Sequence, residues 1–402
     1  MASPTDAPDY DERIAAERRL FNETTDVHDL PGIYYYWSDK WILPKLHAFG
    51  IPDATGLFEN YLTGQCRRPG SHQRQFISIG AGNCDLEIEL ASRLRRKGFT
   101  NFVIECLELN PAMLARGEDT AHRAGVRDNL IFVEADMNQW KASHLYDAVF
   151  ASQSIHHVVC LEELFAQVRQ ALVPGGQFIL SDIIGRNGHM RWPEALAIVH
   201  DFWKELPLPY RYNRPLRRQE DVYDNWDCSG EGFEGIRAQE ILPLLLRSFH
   251  FELFVAFGNV ILPFVDRAFG HNFDPDGQWD RDFIDRVHLR DESEMLAGRI
   301  KPTIAVAVLG TDTTVATQYL APFSPAFCVR CPDGAADETA TPNPWLECSD
   351  LKRRIAMTEA REQKEMSQLA DSLGKARHQI QLAANSRWLR LGQWLGLGPK
   401  LR

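Results

Sequence analysis

The chain has 402 residues, 44% apolar and 25% charged, the composition of a soluble globular protein with room for one large domain and appendages. Its net charge of −11 argues against general nucleic-acid binding. The sign is uneven, because residues 351–402 hold eleven Lys/Arg against four Asp/Glu, so that tail is +7 and the remainder −18.

Met1 to Arg19 is polar and acid-rich and lacks the apolar core of a secretory signal. Residues 8–64 read as mostly helical, with a charged amphipathic helix from Asp11 to Phe21. Tyr34-Tyr35-Tyr36-Trp37 packs four aromatics together, and Trp41-Ile42-Leu43 continues the apolar face. This stretch is expected to be a helical cap that also covers the ligands as a lid.

Phe76-Ile77-Ser78-Ile79 then runs into Gly80-Ala81-Gly82-Asn83, and a helical pattern follows with Leu86, Leu90, Ala91 and Leu94 on one face. Strand, tight glycine turn and helix are the reading. Glycines there let the backbone turn sharply and a ligand come close, while the helix start offers free N–H groups. Four further strands follow. Phe102 to Leu107 ends at Glu108, Ile131 to Glu134 ends near Asp136, Tyr146 to Ala151 leads into Ser152-Gln153-Ser154-Ile155-His156-His157, and Leu172-Val173-Pro174-Gly175-Gly176 turns into a fifth strand. Helices alternate with them, which implies a parallel sheet with helices on both faces.

Residues 183–236 interrupt the alternation with a helix from Trp192 to Leu206, a stop at Pro207-Leu208-Pro209-Tyr210, and a charged, aromatic, glycine-punctuated run to Gly235. An insertion after the fifth strand lies beside the crevice of an open α/β sheet, and acceptor specificity is expected there. A helix from Arg237 to Phe249 and a sixth strand from Phe251 to Phe257 come next. Ile241 to Val265 is apolar but broken by Arg247, His250 and Glu252, so it does not span a membrane. Helices from Val260 to Ala268 and Trp279 to Leu296 precede a last strand within Lys301 to Gly310.

Residues 311–345 have little periodicity and read as a linker. Cys328, Cys331 and Cys348 are one thiol short of a structural zinc site, and no metal is expected. The eight scattered cysteines read as reduced thiols of a cytoplasmic protein. Leu351 to Ala383 reads as a helix, with a short coiled-coil seam through Met366, Leu369, Leu373, Ala376, Ile380 and Ala383 suited to self-association.

In order and at these spacings, Ile79-Gly80-Ala81-Gly82, Glu108-Leu109-Asn110-Pro111-Ala112-Met113-Leu114, Ala135-Asp136-Met137, Tyr146-Asp147-Ala148-Val149, His156-His157 and Leu172 to Gly176 resemble the class I S-adenosylmethionine-dependent methyltransferases. The resemblance implies a Rossmann-like seven-stranded sheet whose last strand runs antiparallel beside the fifth. It implies an N-terminal helical cap (residues 1–70), the methyltransferase domain (71–310, insertion 183–236), a linker (311–345) and a basic helical tail (346–402).

It also implies S-adenosylmethionine as cofactor. Gly80, Ala81, Gly82 and Asn83 would face its methionine part, Glu108 and Leu109 its ribose, Asp136 and Met137 its adenine, and Ser152 would line the same crevice. Two positions depart from the family. An acid is usual where Ser78 stands, and a third loop glycine is common where Cys84 stands. Methyl transfer to oxygen or nitrogen of a small molecule or glycan is the implied reaction, with His157 or His156 as the candidate base and Asp182 and His189 as the other candidates.

Two other readings compete. A nicotinamide-dependent oxidoreductase would want Gly-x-Gly-x-x-Gly, and no third glycine appears. A non-catalytic assembly module would not need Gly80, Gly82, Glu108 and Asp136 together. The end of the chain interleaves Trp388 and Trp394 with Arg387, Arg390, Lys400 and Arg402. That pattern suits a peripheral membrane contact, at the inner surface, or a protein partner. Its Ser386-Arg387-Trp388 start is similar to tails on bacterial enzymes of surface-polysaccharide assembly.

Overall fold

The computed structural model describes residues 10–23, 29–230 and 232–330. The coiled-coil seam, the basic tail and two of the three clustered cysteines lie outside those residues. The chain divides into two units, residues 1–330 and 331–402.

The first unit is built on one eight-stranded sheet. Its strands are β1 (Arg74–Ile79), β2 (Phe102–Glu108), β3 (Leu130–Glu134), β4 (Tyr146–Ser152), β5 (Leu172–Ile183), β6 (His250–Phe257), β7 (Ile304–Gly310) and β8 (Gln318–Tyr319). They lie in the order β8-β6-β7-β5-β4-β1-β2-β3. The first five are parallel, whereas β7 runs antiparallel between β5 and β6. That placement is the one expected for the last long strand. The sheet has one strand more than expected, because β8 pairs in parallel with the edge of β6. The central strands are covered on both faces, which is why they read as unbroken apolar runs. Phe76, Ile77 and Ile79 of β1 and Ala148, Val149, Phe150 and Ala151 of β4 are all fully buried.

The presumed linker is therefore not structureless over its described part. Residues 318–319 form β8, Pro325–Cys328 form a short helix, and Phe323, Cys328 and Val329 are buried. The missing periodicity reflects elements too short to show one.

The N-terminal helices pack in two places. Helix α1 (Tyr10–Glu23) crosses to the carboxyl ends of the strands. Helix α2 (Gly32–Trp37), a π-helical turn (Ser38–Ile42) and α3 (Leu43–His47) pack elsewhere. Trp37 is fully buried, stands against Phe257, and donates from Nε1 to His288 Nδ1 at 3.1 Å. Tyr36 and Trp41 both bond to Asp285. His288 and Asp285 belong to the long helix Gln278–Leu296. The Tyr34–Trp37 aromatics thus serve as core, since a large ring gains most by full burial against a neighbouring helix. The segment beside the expected ligand crevice is α1. Helix α4 (Ala54–Arg67), capped by the Asp53 carboxylate on Gly56 N, packs on β4, β5 and α5 (Asp85–Arg96) as part of the sandwich.

Strand order reverses between β1 and β4, and an open α/β sheet forms its ligand crevice outside the carboxyl ends at such a point.

Candidate active site

The donor side is built from the ends of β1, β2 and β3. Gly80 and Gly82 both adopt left-handed backbone, at φ 72° and 56°. A Cβ on Gly80 would come within 2.5 Å of Ser154 Cβ, and Ser154 is itself fixed by a 2.6 Å bond from its hydroxyl to Ile79 O. The glycine is required by both its conformation and its neighbour. Cys84, where a third glycine is common, also sits in the left-handed region, at φ 61°. The turn keeps its shape there at some conformational cost. Asn83 is held by Arg116, whose Nε donates to its Oδ1 at 3.0 Å.

Glu108 accepts from Gly82 N and Asn110 N, each at 2.9 Å, one with each carboxylate oxygen. Burial raises its pKa, and the backbone N–H groups oppose that rise. Each oxygen keeps a lone pair, so both ribose hydroxyls of a nucleoside would find an acceptor. Asp136 accepts from Asn138 N at 2.9 Å and from the Tyr10 hydroxyl of α1 at 2.6 Å. Met137 stands near Gly80, Leu109 O accepts from Arg18, and Ser152 pairs with Ser181 across β4 and β5. Paired glycines that cannot carry a Cβ, with two carboxylates on successive strand ends, fit the methionine, ribose and adenine parts of S-adenosylmethionine.

Helix α1 straps this side. Arg18 reaches Leu109 O and Glu134, Asn110 Nδ2 donates to Arg18 O and Asn22 Oδ1, and Arg116 donates to Phe21 O. At the other edge Arg13 donates to Ser229 O and Gly232 O of the insertion.

The second side gathers around Glu234. His189 Nε2 lies 2.5 Å from its Oε1, His156 Nε2 lies 3.3 Å from the same oxygen, and His157 Nε2 lies 3.3 Å from Oε2. His156 and His157 occupy a single 3-10 turn after β4, with ring centroids 4.4 Å apart. Their rings meet carboxylates on both sides. His156 Nδ1 lies 2.6 Å from Asp182 Oδ1, and His157 Nδ1 lies 2.7 Å from Glu17 Oε1 of α1. Asp182 is fully buried and also accepts from Ser154 N, Ile155 N and Ile183 N.

Charge distributes unequally over this cluster. Burial opposes a charge on His156, but Asp182 and Glu234 outweigh it and push its pKa up to about 10. Burial also opposes the Glu234 anion, yet the three histidines hold it well below the usual carboxylate range. Burial dominates at His189 and lowers its pKa, so its ring is neutral at neutral pH. With Nε2 donating to Glu234, Nδ1 of His189 is a buried acceptor with no partner among the described residues. His189 is held there by consecutive left-handed residues, Gly188 at φ 62° and His189 at φ 55°. Such strain in a bulky residue is retained where the surroundings over-determine it.

The residues expected from sequence therefore come together at one edge. His156 is buried, and Asp182 and Glu234 push its pKa up to about 10, which favours its protonated form. Glu234, Glu17 and Tyr10 were not anticipated. A signal existed for Glu234, an acid in the run Gly230-Glu231-Gly232-Phe233-Glu234-Gly235 of the insertion. His156, His189 and Glu234 also place ligand-type atoms within 4.8 Å of one another, close enough to hold a metal ion.

Residues 76–176 match a family model described as a methyltransferase domain. The chain is 26% identical over 172 residues to the sterol 24-C-methyltransferase ERG6B of Gibberella zeae, a match covering 42% of this chain and 41% of that enzyme. It is 25% identical over 221 residues to the 27-O-demethylrifamycin SV methyltransferase of Amycolatopsis mediterranei, covering 51% of this chain and 76% of that one. A structure of an S-adenosylmethionine-dependent methyltransferase from Geobacter sulfurreducens, in complex with S-adenosyl-L-homocysteine, superposes with a TM-score of 0.35 at 11% identity, covering 71% of this chain and 99% of that one. Residues 76–176 thus resemble a methyltransferase domain.

Proposed function

We propose that the chain transfers a methyl group from S-adenosylmethionine to an oxygen or nitrogen of a small molecule or glycan. The observation that carries this reading is the convergence of His156, His157 and His189 on Glu234 beside the donor motif. The sulfonium of the bound donor supplies an electrophilic methyl group. His189 holds Nδ1 free to take the proton of the acceptor, and Glu234 stabilises the imidazolium that forms. His156, protonated against Asp182, fixes Glu234 as an anion and orients it. His157 is turned by Glu17, so α1 contributes to the same cluster.

The insertion supplies both His189 and Glu234 and so couples acceptor recognition to the base. A metal reading of His156, His189 and Glu234 fits less well, because both ring nitrogens of His156 already face carboxylates, Nδ1 toward Asp182 and Nε2 toward Glu234. The acceptor belonging to surface-polysaccharide assembly is supported only by the sequence likeness at residues 386–392. Incubation with methyl-labelled donor and a panel of hydroxylated and amino sugars and small phenols tests the reading. Label should move to one acceptor class in the wild type and not in His189→Ala. Transfer at the wild-type rate by His189→Ala would remove the proposed base.

A further inference from the structure

His189 and Glu234 hold each other twice, through the ring contact and through Gly188 N, which donates to Gly235 O at 2.9 Å. Arg191 carries this pair to the far half of the sheet. Its Nη2 donates to His189 O at 3.2 Å, while Nη1 donates to Asn259 O at 3.1 Å and to Thr303 Oγ1 at 3.4 Å. Asn259 follows β6 and Thr303 precedes β7. Both are themselves fixed. Asn259 N donates to Asp291 Oδ2 of the long helix Gln278–Leu296 at 2.9 Å, and Thr303 Oγ1 donates to Gly258 O at 2.9 Å. The main chain of Arg191 is clamped too. Its N donates to Asn225 Oδ1 at 2.7 Å, and its O accepts from Asn225 Nδ2 and Arg186 Nη1, each at 3.0 Å.

Arg191 is 6% exposed and forms no ion pair among the described residues. The oxygens that its guanidinium meets are two carbonyls and a hydroxyl, all neutral. A buried cation held without a carboxylate is costly, so pairing of charge does not account for it. What a planar guanidinium supplies here is direction, with donors at fixed angles to several oxygens at once. The residue it holds needs such a constraint, because His189 stands at φ 55°, a conformation that a bulky side chain keeps only when its surroundings impose it.

We infer that Arg191 is the positioning residue of the proposed base, pinning the His189 carbonyl to the ends of β6 and β7 while Asn225 keeps the guanidinium in place. Arg191 acts through His189 and takes no part in the transfer itself. The inference rests on the reading of His189 as the base.

Two readouts test it. In protein labelled at the histidine ring nitrogens, the His189 signals are those lost in His189→Ala. The wild-type ring should show the single tautomer with hydrogen on Nε2, the one that donates to Glu234. Arg191→Met should convert it to a mixture of tautomers. With the acceptor that takes label from the wild type, Arg191→Met should lower kcat about tenfold to a hundredfold, the loss that a displacement of about 1 Å produces. Calorimetry with S-adenosylhomocysteine counts folded sites, and its affinity should stay within about twofold of wild type. Arg191→Lys keeps the charge but offers a point donor, and should stay within about threefold of Arg191→Met. Asn225→Ala spares the guanidinium and should lower kcat by about threefold to tenfold, adding little to Arg191→Met because both act on one contact. If Arg191→Met does not fold, Asn225→Ala decides alone. A single His189 tautomer in Arg191→Met, or wild-type kcat in Asn225→Ala and the Arg191 variants, would overturn the inference. Full activity of Arg191→Lys would assign the effect to charge and overturn it as well. His189→Ala at the wild-type rate would instead remove the base itself, a result distinct from a slow His189→Ala beside fully active Arg191 variants.

Discussion

The two halves of the carboxyl edge are assembled differently. On the donor side each group lies at the end of its own strand or within three residues of it, as Gly80 follows β1, Glu108 ends β2 and Asp136 follows β3. On the acceptor side the partners are remote in sequence. His189 meets Glu234 across 45 residues and His156 meets Asp182 across 26, while Glu17 reaches His157 from the first helix. The first half is fixed as soon as the sheet forms. The second exists only after α1 and the insertion have closed over the end of the sheet. Local geometry suits a cofactor that never changes. Remote, loop-borne geometry suits an acceptor that differs from one enzyme to the next.

The largest expected effect lies on the acceptor side. His189→Ala should lower the transfer rate by about 10²–10⁴-fold, the usual contribution of a positioned base. Donor affinity in calorimetry should stay unchanged, because His189 bonds to Glu234 and to none of the donor residues. A matching loss of donor affinity would break the separation between the halves.

On the donor side, Glu108→Ala should weaken S-adenosylmethionine by about 1.5–3 kcal/mol, the scale of hydrogen bonds to a charged group. Circular dichroism should show the fold intact. Equal affinity would remove Glu108 from the ribose contact.

The charge state of the acceptor cluster gives a stability signature. His156 titrates at about 10 in the folded protein, above its usual 6.5. The folded state therefore binds more protons than the unfolded state between those values. This contribution is complete below about pH 6.5 and is lost as pH rises through about 10. The thermal midpoint of the wild type relative to His156→Gln should decline steadily from pH 7 to pH 10. A constant difference across that range would mean that His156 is neutral in the fold.

The smallest effect is expected where the halves are strapped together. Tyr10 donates to Asp136, the carboxylate assigned to the adenine amino group, and burial with this acid raises the phenol pKa. Tyr10→Phe removes a competing donor and should tighten S-adenosylmethionine by about 0.5–1.5 kcal/mol. Weaker binding would make Tyr10 part of the donor site and place α1 in the donor half.

Much of the donor half was legible in the sequence because its causes are local. An apolar run buried on both faces needs no partner information to read as a strand, and Gly80 and Gly82 announce a turn whose φ other residues resist. The acid at each strand end follows from chain order alone. Ser78 marks the limit of that logic. The sequence shows an acid missing there, and only the return of α5 over β1 shows that the Ser78 hydroxyl donates to Glu87.

The sequence by itself determined the α/β alternation, the glycine turn, the acids at the strand ends and the presence of histidines after β4. Tertiary structure decided which histidine stays neutral, because protonation depends on burial and on carboxylates 26 to 45 residues away. It also decided that α1 lies across the site while the Tyr34–Trp37 aromatics pack against the long helix Gln278–Leu296. Both segments are amphipathic and read alike in one dimension. They differ in what they meet, since Trp37 finds an apolar pocket against Phe257 and His288, whereas Tyr10, Arg13 and Glu17 find partners for their polar ends at the edge of the sheet. Burial free energy places a helix by the surface that receives it, and that surface is assembled from distant parts of the chain.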